Sequence, residues 1–134
     1  MYAIDSFSRL TRGILIKNKQ PETIVKALLD VWVVGKGVGP GMPDKFYFDN
    51  GGEFNNTLLI DLAEKYGVSL HGTTAANSPF SNGLCERNHA IVDLMMKKIK
   101  AGDASIRDSE ALEYALVAKN SETNNKGFLS YQIV

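Results

Sequence analysis

Two carboxylates stand where this sequence could do chemistry. Asp49 closes the run Lys45-Phe46-Tyr47-Phe48 and leads into Asn50-Gly51-Gly52; Glu86 follows a loop containing Asn82 and Gly83. Open α/β sheets present functional groups at the carboxyl ends of their strands, and two glycines beyond a carboxylate let a ligand approach the backbone. The same four residues, Asp-Asn-Gly-Gly, would also make an ordinary Asx turn. With Glu86 set at zero on a helical wheel, His89, Ala90, Asp93, Lys97 and Lys100 fall within about 60° of it, and Ile91, Met95 and Ile99 lie opposite. Glu86 is thereby expected in the first turn of a helix, facing away from the core. An acid there is also favoured by the helix dipole alone. As a pair, a carboxylate at a strand end and another at a helix start can converge on a hard divalent cation. Magnesium takes oxygen ligands and few protein carboxylates, and two such ions serve phosphoryl transfer. Two carboxylates leave that site wanting a third.

The elements that would position them read as alternating strands and helices, an α/β layered fold. Residues 2–5 suggest the end of a strand and 11–17 a second strand, joined by a tight turn over 6–9 that Asp5 caps. Pro21 opens a helix in which Ile24, Leu28 and Trp32 share a line, with Val25, Leu29 and Val33 beside it. Residues 35–43, with four glycines and two prolines, break all regularity and read as a connector. They fit neither phosphate-loop spacing and lead into a strand. Residues 45–48 suggest a short buried strand. Residues 57–66 suggest a helix with Leu58, Leu62 and Tyr66 at helical spacing and Gly67 as its stop. Another strand follows over 68–71. Residues 73–83 read as an irregular, mobile link anchored mainly by Phe80. Helices over about 84–100 and 109–120 complete the chain.

The bulk composition narrows the classes. One domain of 134 residues with 44% apolar and 22% charged residues can bury a core and need not be disordered. Fifteen basic residues offset fifteen acidic ones, so a nucleic-acid partner must be argued from a local site rather than a global field. Cys85 is the single cysteine, which excludes an internal disulfide and a thiolate zinc site and fits a packed side chain in a reducing compartment. Neither a membrane-length apolar run nor a signal segment is present, so no membrane partner is expected and an intracellular setting is.

Asp49-Asn50-Gly51-Gly52-Glu53-Phe54 followed by Ala75-Ala76-Asn77-Ser78-Pro79-Phe80-Ser81-Asn82-Gly83-Leu84-Cys85-Glu86-Arg87-Asn88-His89 resembles the integrase catalytic core of gypsy-type LTR retrotransposons and retroviruses. The resemblance continues through Asp5-Ser6-Phe7-Ser8-Arg9 and a tail from Ala118 to Gln132, and so covers nearly the whole chain. The family signature is an Asp…Asp…Glu triad; 36 residues lie between Asp49 and Glu86, one more than its usual spacing. The resemblance implies an RNase H-like three-layer fold, a mixed sheet flanked by helices. It implies magnesium- or manganese-dependent polynucleotidyl transfer, in which end processing and strand transfer join DNA ends to a target. Asp49 and Glu86 carry over as catalytic metal ligands. The first Asp of the triad belongs to a strand before Met1, so the core is expected to be incomplete at that end, and at its C-terminal end too. Asp5, on the second strand of the family's sheet, is not that residue. Arg87, Lys97, Lys98 and Lys100 are candidates for DNA phosphate contact, and equally for a solvated helix face. The full-length protein would be a homo-oligomer, nuclear if active.

Two other readings share the fold. One is a catalytically inactive or repurposed retroelement remnant that at most binds nucleic acid or protein. Genomic sequence upstream of Met1 discriminates it, since an in-frame Asp-bearing strand supports the enzyme. The other is hydrolysis of RNA in hybrids, which the motif over residues 82–89 disfavours.

Overall fold

The computed structural model describes the backbone of residues 1–34, 41–49, 54–73 and 79–122, and the side chains of these except 49, 73 and 79–82. The 35–43 connector is thus seen only from 41 on, while the glycines after Asp49, residues 74–78 of the link, Phe80's side chain and the tail from 123 lie outside the described residues. The chain divides into two units, Met1–Leu15 with Leu84–Val134, and Ile16–Gly83.

In the first unit, β1 (Tyr2–Ile4) pairs antiparallel with β2 (Thr11–Gly13), with Tyr2 opposite Gly13 and Ile4 opposite Thr11. The second strand is shorter than residues 11–17 suggested, because its partner offers only three residues. Gly13 is required here, since a Cβ on it would come within 2.6 Å of the Tyr2 ring. The turn between the strands forms as expected. The Ser8 N–H donates to Asp5 Oδ2 at 2.6 Å, the Arg9 N–H to the Asp5 carbonyl at 2.9 Å, and Arg9 adopts a left-handed φ of 64°.

Helix α3 (Pro79–Gly102) begins about five residues earlier than the sequence suggested, on a proline that suits a first turn. Glu86 therefore stands two turns inside the helix rather than in its first turn, where a dipole acting only on the terminal turn no longer accounts for it. Helix α4 (Asp108–Asn120) starts beside Arg107, whose guanidinium pairs with Glu110 at 2.7 Å and whose N–H donates to the same carboxylate. Val92 of α3 and Leu112 and Ala115 of α4 form the buried centre, with Tyr2, Met95, Met96, Ile99 and Leu116 packed around it. The core stripe of α3 is thus centred on Val92, with Met95 and Ile99 on it as expected and Ile91 at its half-buried margin.

In the second unit, α1 (Pro21–Leu28) runs into a π-helical turn (Leu29–Val33) closed by the Val34 N–H on the Leu29 carbonyl at 2.9 Å. The widened turn puts Ala27 and Trp32, five residues apart, in the buried face with Ile24; Leu28 and Val33 are only half-buried. Helix α2 (Thr57–Tyr66) has the bounds its signals suggested: the Asn56 side chain accepts from the Leu59 N–H at 2.7 Å, and Gly67 ends it with φ 68°. Its buried face is Leu59 and Ala63, while Leu58 and Tyr66 are exposed. Leu58 and Leu62 instead join Val25 and Leu29 in lining a groove between α1 and α2. Strands β3 (Lys45–Asp49) and β4 (Ser69–Thr73) pair in parallel, from Lys45 opposite Ser69 to Asp49 opposite Thr73. The expected mixed pairing, antiparallel and parallel, is present, carried in two two-stranded sheets.

Candidate metal centre

Asp49 is the last residue of β3, at the carboxyl end of a parallel strand, where α/β folds place their functional groups. Its side chain lies outside the described residues. Phe48 before Asp49 and Phe54 beyond it stack with ring centroids 5.5 Å apart. The strand is not buried on both faces, as the run Lys45-Phe46-Tyr47-Phe48 suggested. Tyr47 is exposed and stacks on exposed His71 of β4 at 5.1 Å, while Phe46 and Phe48 are half-buried, the alternation of a sheet with one open face.

Glu86 belongs to the other unit. It is exposed on α3, as are His89, Ala90, Asp93 and Lys97 on its own face and Arg87 and Lys98 to the side. Two strands grip the helix close to it. The Tyr2 hydroxyl donates to Asp93 Oδ1 at 3.1 Å, and the Tyr2 ring lies 4.6 Å from that of His89. Burial, then the Asp93 charge and hydrogen bond, push the Tyr2 phenol up to about 12. The Tyr2 ring is thus a neighbour of His89, and Cys85 is half-buried.

On the core side, Thr11 Oγ1 donates to Asn88 Oδ1 at 2.9 Å, and the Thr11 backbone exchanges two 2.8 Å hydrogen bonds with the Asn120 amide. Sequence reasoning did not single out this buried network. Asn88 lies about 200° around the helix from Glu86, the one signal that could have placed it on the inner face.

Asp5 is spent on its turn, as expected. Lys100 pairs with Asp108, whereas Arg87, Lys97 and Lys98 are exposed. Among the described residues no group of three or more His, Cys, Asp or Glu is set to hold a metal.

The HTLV-2 integrase catalytic core domain in complex with magnesium superposes with a TM-score of 0.80 over 98% of this chain and 81% of that one, at 20% identity. The chain has the fold of the retroviral integrase catalytic cores. The catalytic core of BIV integrase gives 0.78 at 21% identity over 98% of this chain and 82% of that one. A chain of the simian T-cell lymphotropic virus intasome, solved with a PP2A regulatory subunit, gives 0.82 at 19% identity over 96% of this chain and 45% of that one. In sequence, 117 residues (87% of the chain) are 25% identical to the Gag-Pro-Pol polyprotein of Bovine leukemia virus (isolate Australian), of which they span 8%. No family model matches. The similarity to integrase cores read from the two motifs is therefore found again in fold and in sequence.

Proposed function

We propose that the chain is the core of an integrase-type polynucleotidyl transferase acting on DNA, with Asp49 and Glu86 as ligands of magnesium or manganese. The observation that carries this reading is Asp49 at the carboxyl end of a parallel strand in a fold shared with integrase cores. The donors fit the ion. Both are hard carboxylate oxygens, Glu86 is open to solvent, and the Phe48 ring next to Asp49 stacks with that of Phe54. When bound, such ions supply Lewis-acid stabilisation of the attacking and leaving oxygens in phosphoryl transfer. The protein's own part is positional: β3 fixes Asp49 in register, and α3, gripped by β1 and β2, presents Glu86. Arg87, Lys97 and Lys98 offer exposed cations along about 16 Å of the same helix, suited to sugar-phosphate contacts; Lys100 would first have to leave Asp108. The third carboxylate is proposed on a strand preceding Tyr2, since Asp5 caps its turn. The setting is intracellular, nuclear when active, and the assembly a homo-oligomer, as the dimeric and trimeric forms of the HTLV-2 core suggest.

Magnesium-dependent strand transfer, assayed on this chain and on a longer version including the strand expected before Tyr2, tests the proposal. The longer form should join DNA, and Asp49→Asn or Glu86→Gln should each abolish joining. Activity that survives both substitutions sinks the reading. Activity of this chain alone that Asp5→Asn abolishes would make Asp5 the third ligand.

A further inference from the structure

Of the two buried residues of α3 among those described, Val92 belongs to the apolar cluster and Asn88 does not. Asn88 is 3% exposed, its Oδ1 accepts from Thr11 Oγ1, and its Nδ2 is buried without a hydrogen-bond partner. A buried amide with an unmet donor weighs against stability, and an apolar side chain of that size would pack there at no such cost. Packing alone therefore does not explain an asparagine at this place.

Its neighbours suggest what does. The apolar anchors of α3 (Val92, Met95, Met96 and Ile99) all lie on the far side of Asn88 from Glu86. Apolar contacts are non-directional, and methionines adapt to small shifts, so apart from the Tyr2–Asp93 hydrogen bond these contacts do little to fix the rotation of the helix about its axis. The hydrogen bond from Thr11 to Asn88 is directional, and it sits two residues from Glu86. Thr11 is itself held, 0% exposed, by the two hydrogen bonds its backbone exchanges with Asn120 of α4. At a surface radius of about 5–6 Å, a 10° turn of the helix moves a carboxylate by roughly 1 Å. A misplacement of that size is enough to spoil a site that chemistry requires to be exact to about 0.5 Å.

We propose that Asn88 is a positioning residue, which through its hydrogen bond from Thr11 sets the rotation of α3 and so the direction in which Glu86 is presented. The consequence for metal binding rests on the reading of Glu86 as a ligand; the consequence for the helix does not. Three variants of the full chain test it. Asn88→Leu removes the bond and the unmet donor, and Thr11 Oγ1 can then turn to the Arg9 carbonyl, already 3.3 Å away. Thr11→Val removes the donor and leaves Asn88 in place. Thr11→Ser keeps the hydroxyl and is the conservative control.

Residual dipolar couplings of the Cα–Hα bonds of residues 84–90, referred to those of α4, read the rotation of the helix directly. Manganese titration reads the metal, and thermal melting reads the fold. Asn88→Leu and Thr11→Val should each shift the couplings and weaken manganese binding on the order of 10- to 100-fold, the range typical of residues that orient a ligand. Asn88→Leu should melt no lower than the parent, and Thr11→Ser should restore both readouts. Couplings unchanged in Asn88→Leu and Thr11→Val overturn the proposal, whatever the metal does. Shifted couplings with manganese binding that Glu86→Gln leaves untouched uphold the positioning of α3 and defeat instead the reading of Glu86 as a ligand.

Discussion

Replacing Asn120 by alanine removes the side chain that completes β2. Its Nδ2 donates to the Thr11 carbonyl and its Oδ1 accepts from the Thr11 N–H, both at 2.8 Å, so the amide serves the strand as a neighbouring peptide would. Thr11 is 0% exposed and Asn120 3%, so water does not take over. Two buried backbone groups left without partners cost about 1–3 kcal/mol each, or about 2–6 kcal/mol together. Against a total stability of about 5–15 kcal/mol for a domain, that is a large share. Urea unfolding of Asn120→Ala at neutral pH measures it. Asn120→Asp sharpens the test, because a protonated carboxyl can reproduce both bonds and a carboxylate cannot. Burial and the facing Thr11 carbonyl raise its folded pKa above the unfolded value of about 3.9. The stability it contributes is therefore fully present below that unfolded value and is lost as pH rises through the folded one. The deficit of Asn120→Asp should be small near pH 4 and should approach that of Asn120→Ala near pH 7. A loss below about 1 kcal/mol in the alanine variant, or an aspartate deficit independent of pH, would refute the reasoning.

Gly13→Ala should destabilise by about 1–3 kcal/mol, because a Cβ 2.6 Å from the Tyr2 ring displaces it, and should weaken the Tyr2–Asp93 hydrogen bond in the spectrum of the phenol; a melting temperature equal to the parent's would contradict this. Tyr2 should ionise near 12, read as the phenolate absorbance that Tyr2→Phe removes. Its unfolded value is 10.0, so the stability that the protonated phenol contributes is fully present below pH 10 and is lost as pH rises through 12. Asp93→Asn should bring the ionisation down only part of the way, since burial is the larger cause.

Where a local rule settled a question, the sequence was enough. Helical spacing and the Gly67 stop gave the bounds of α2, and Asp5 caps its turn as a short acid beside Ser6–Arg9 should. What escaped was set by distant partners. Asn88 sits among charged residues, and the partner that buries it is 77 residues away; Asn120 and Thr11 are 109 apart. The π-helical turn after α1 places buried Trp32 five residues beyond buried Ala27, a step that no regular period anticipates. The early start of α3 was hidden by Asn82 and Gly83, poor helix formers carried by the packing that follows them. Of the candidate centre, the sequence already put Asp49 at a strand end and Glu86 on an outward helix face, as the structure has them, and the order of the triad came only from the family resemblance.

The most direct test of the two-carboxylate centre is manganese-induced broadening in the amide spectrum of the isotope-labelled chain. Broadening should centre on residues 50–52 and 86–90 together, be weak in affinity with two carboxylates, and vanish from both segments in either Asp49→Asn or Glu86→Gln. Broadening centred elsewhere, or confined to one segment and indifferent to the other carboxylate, would contradict the account.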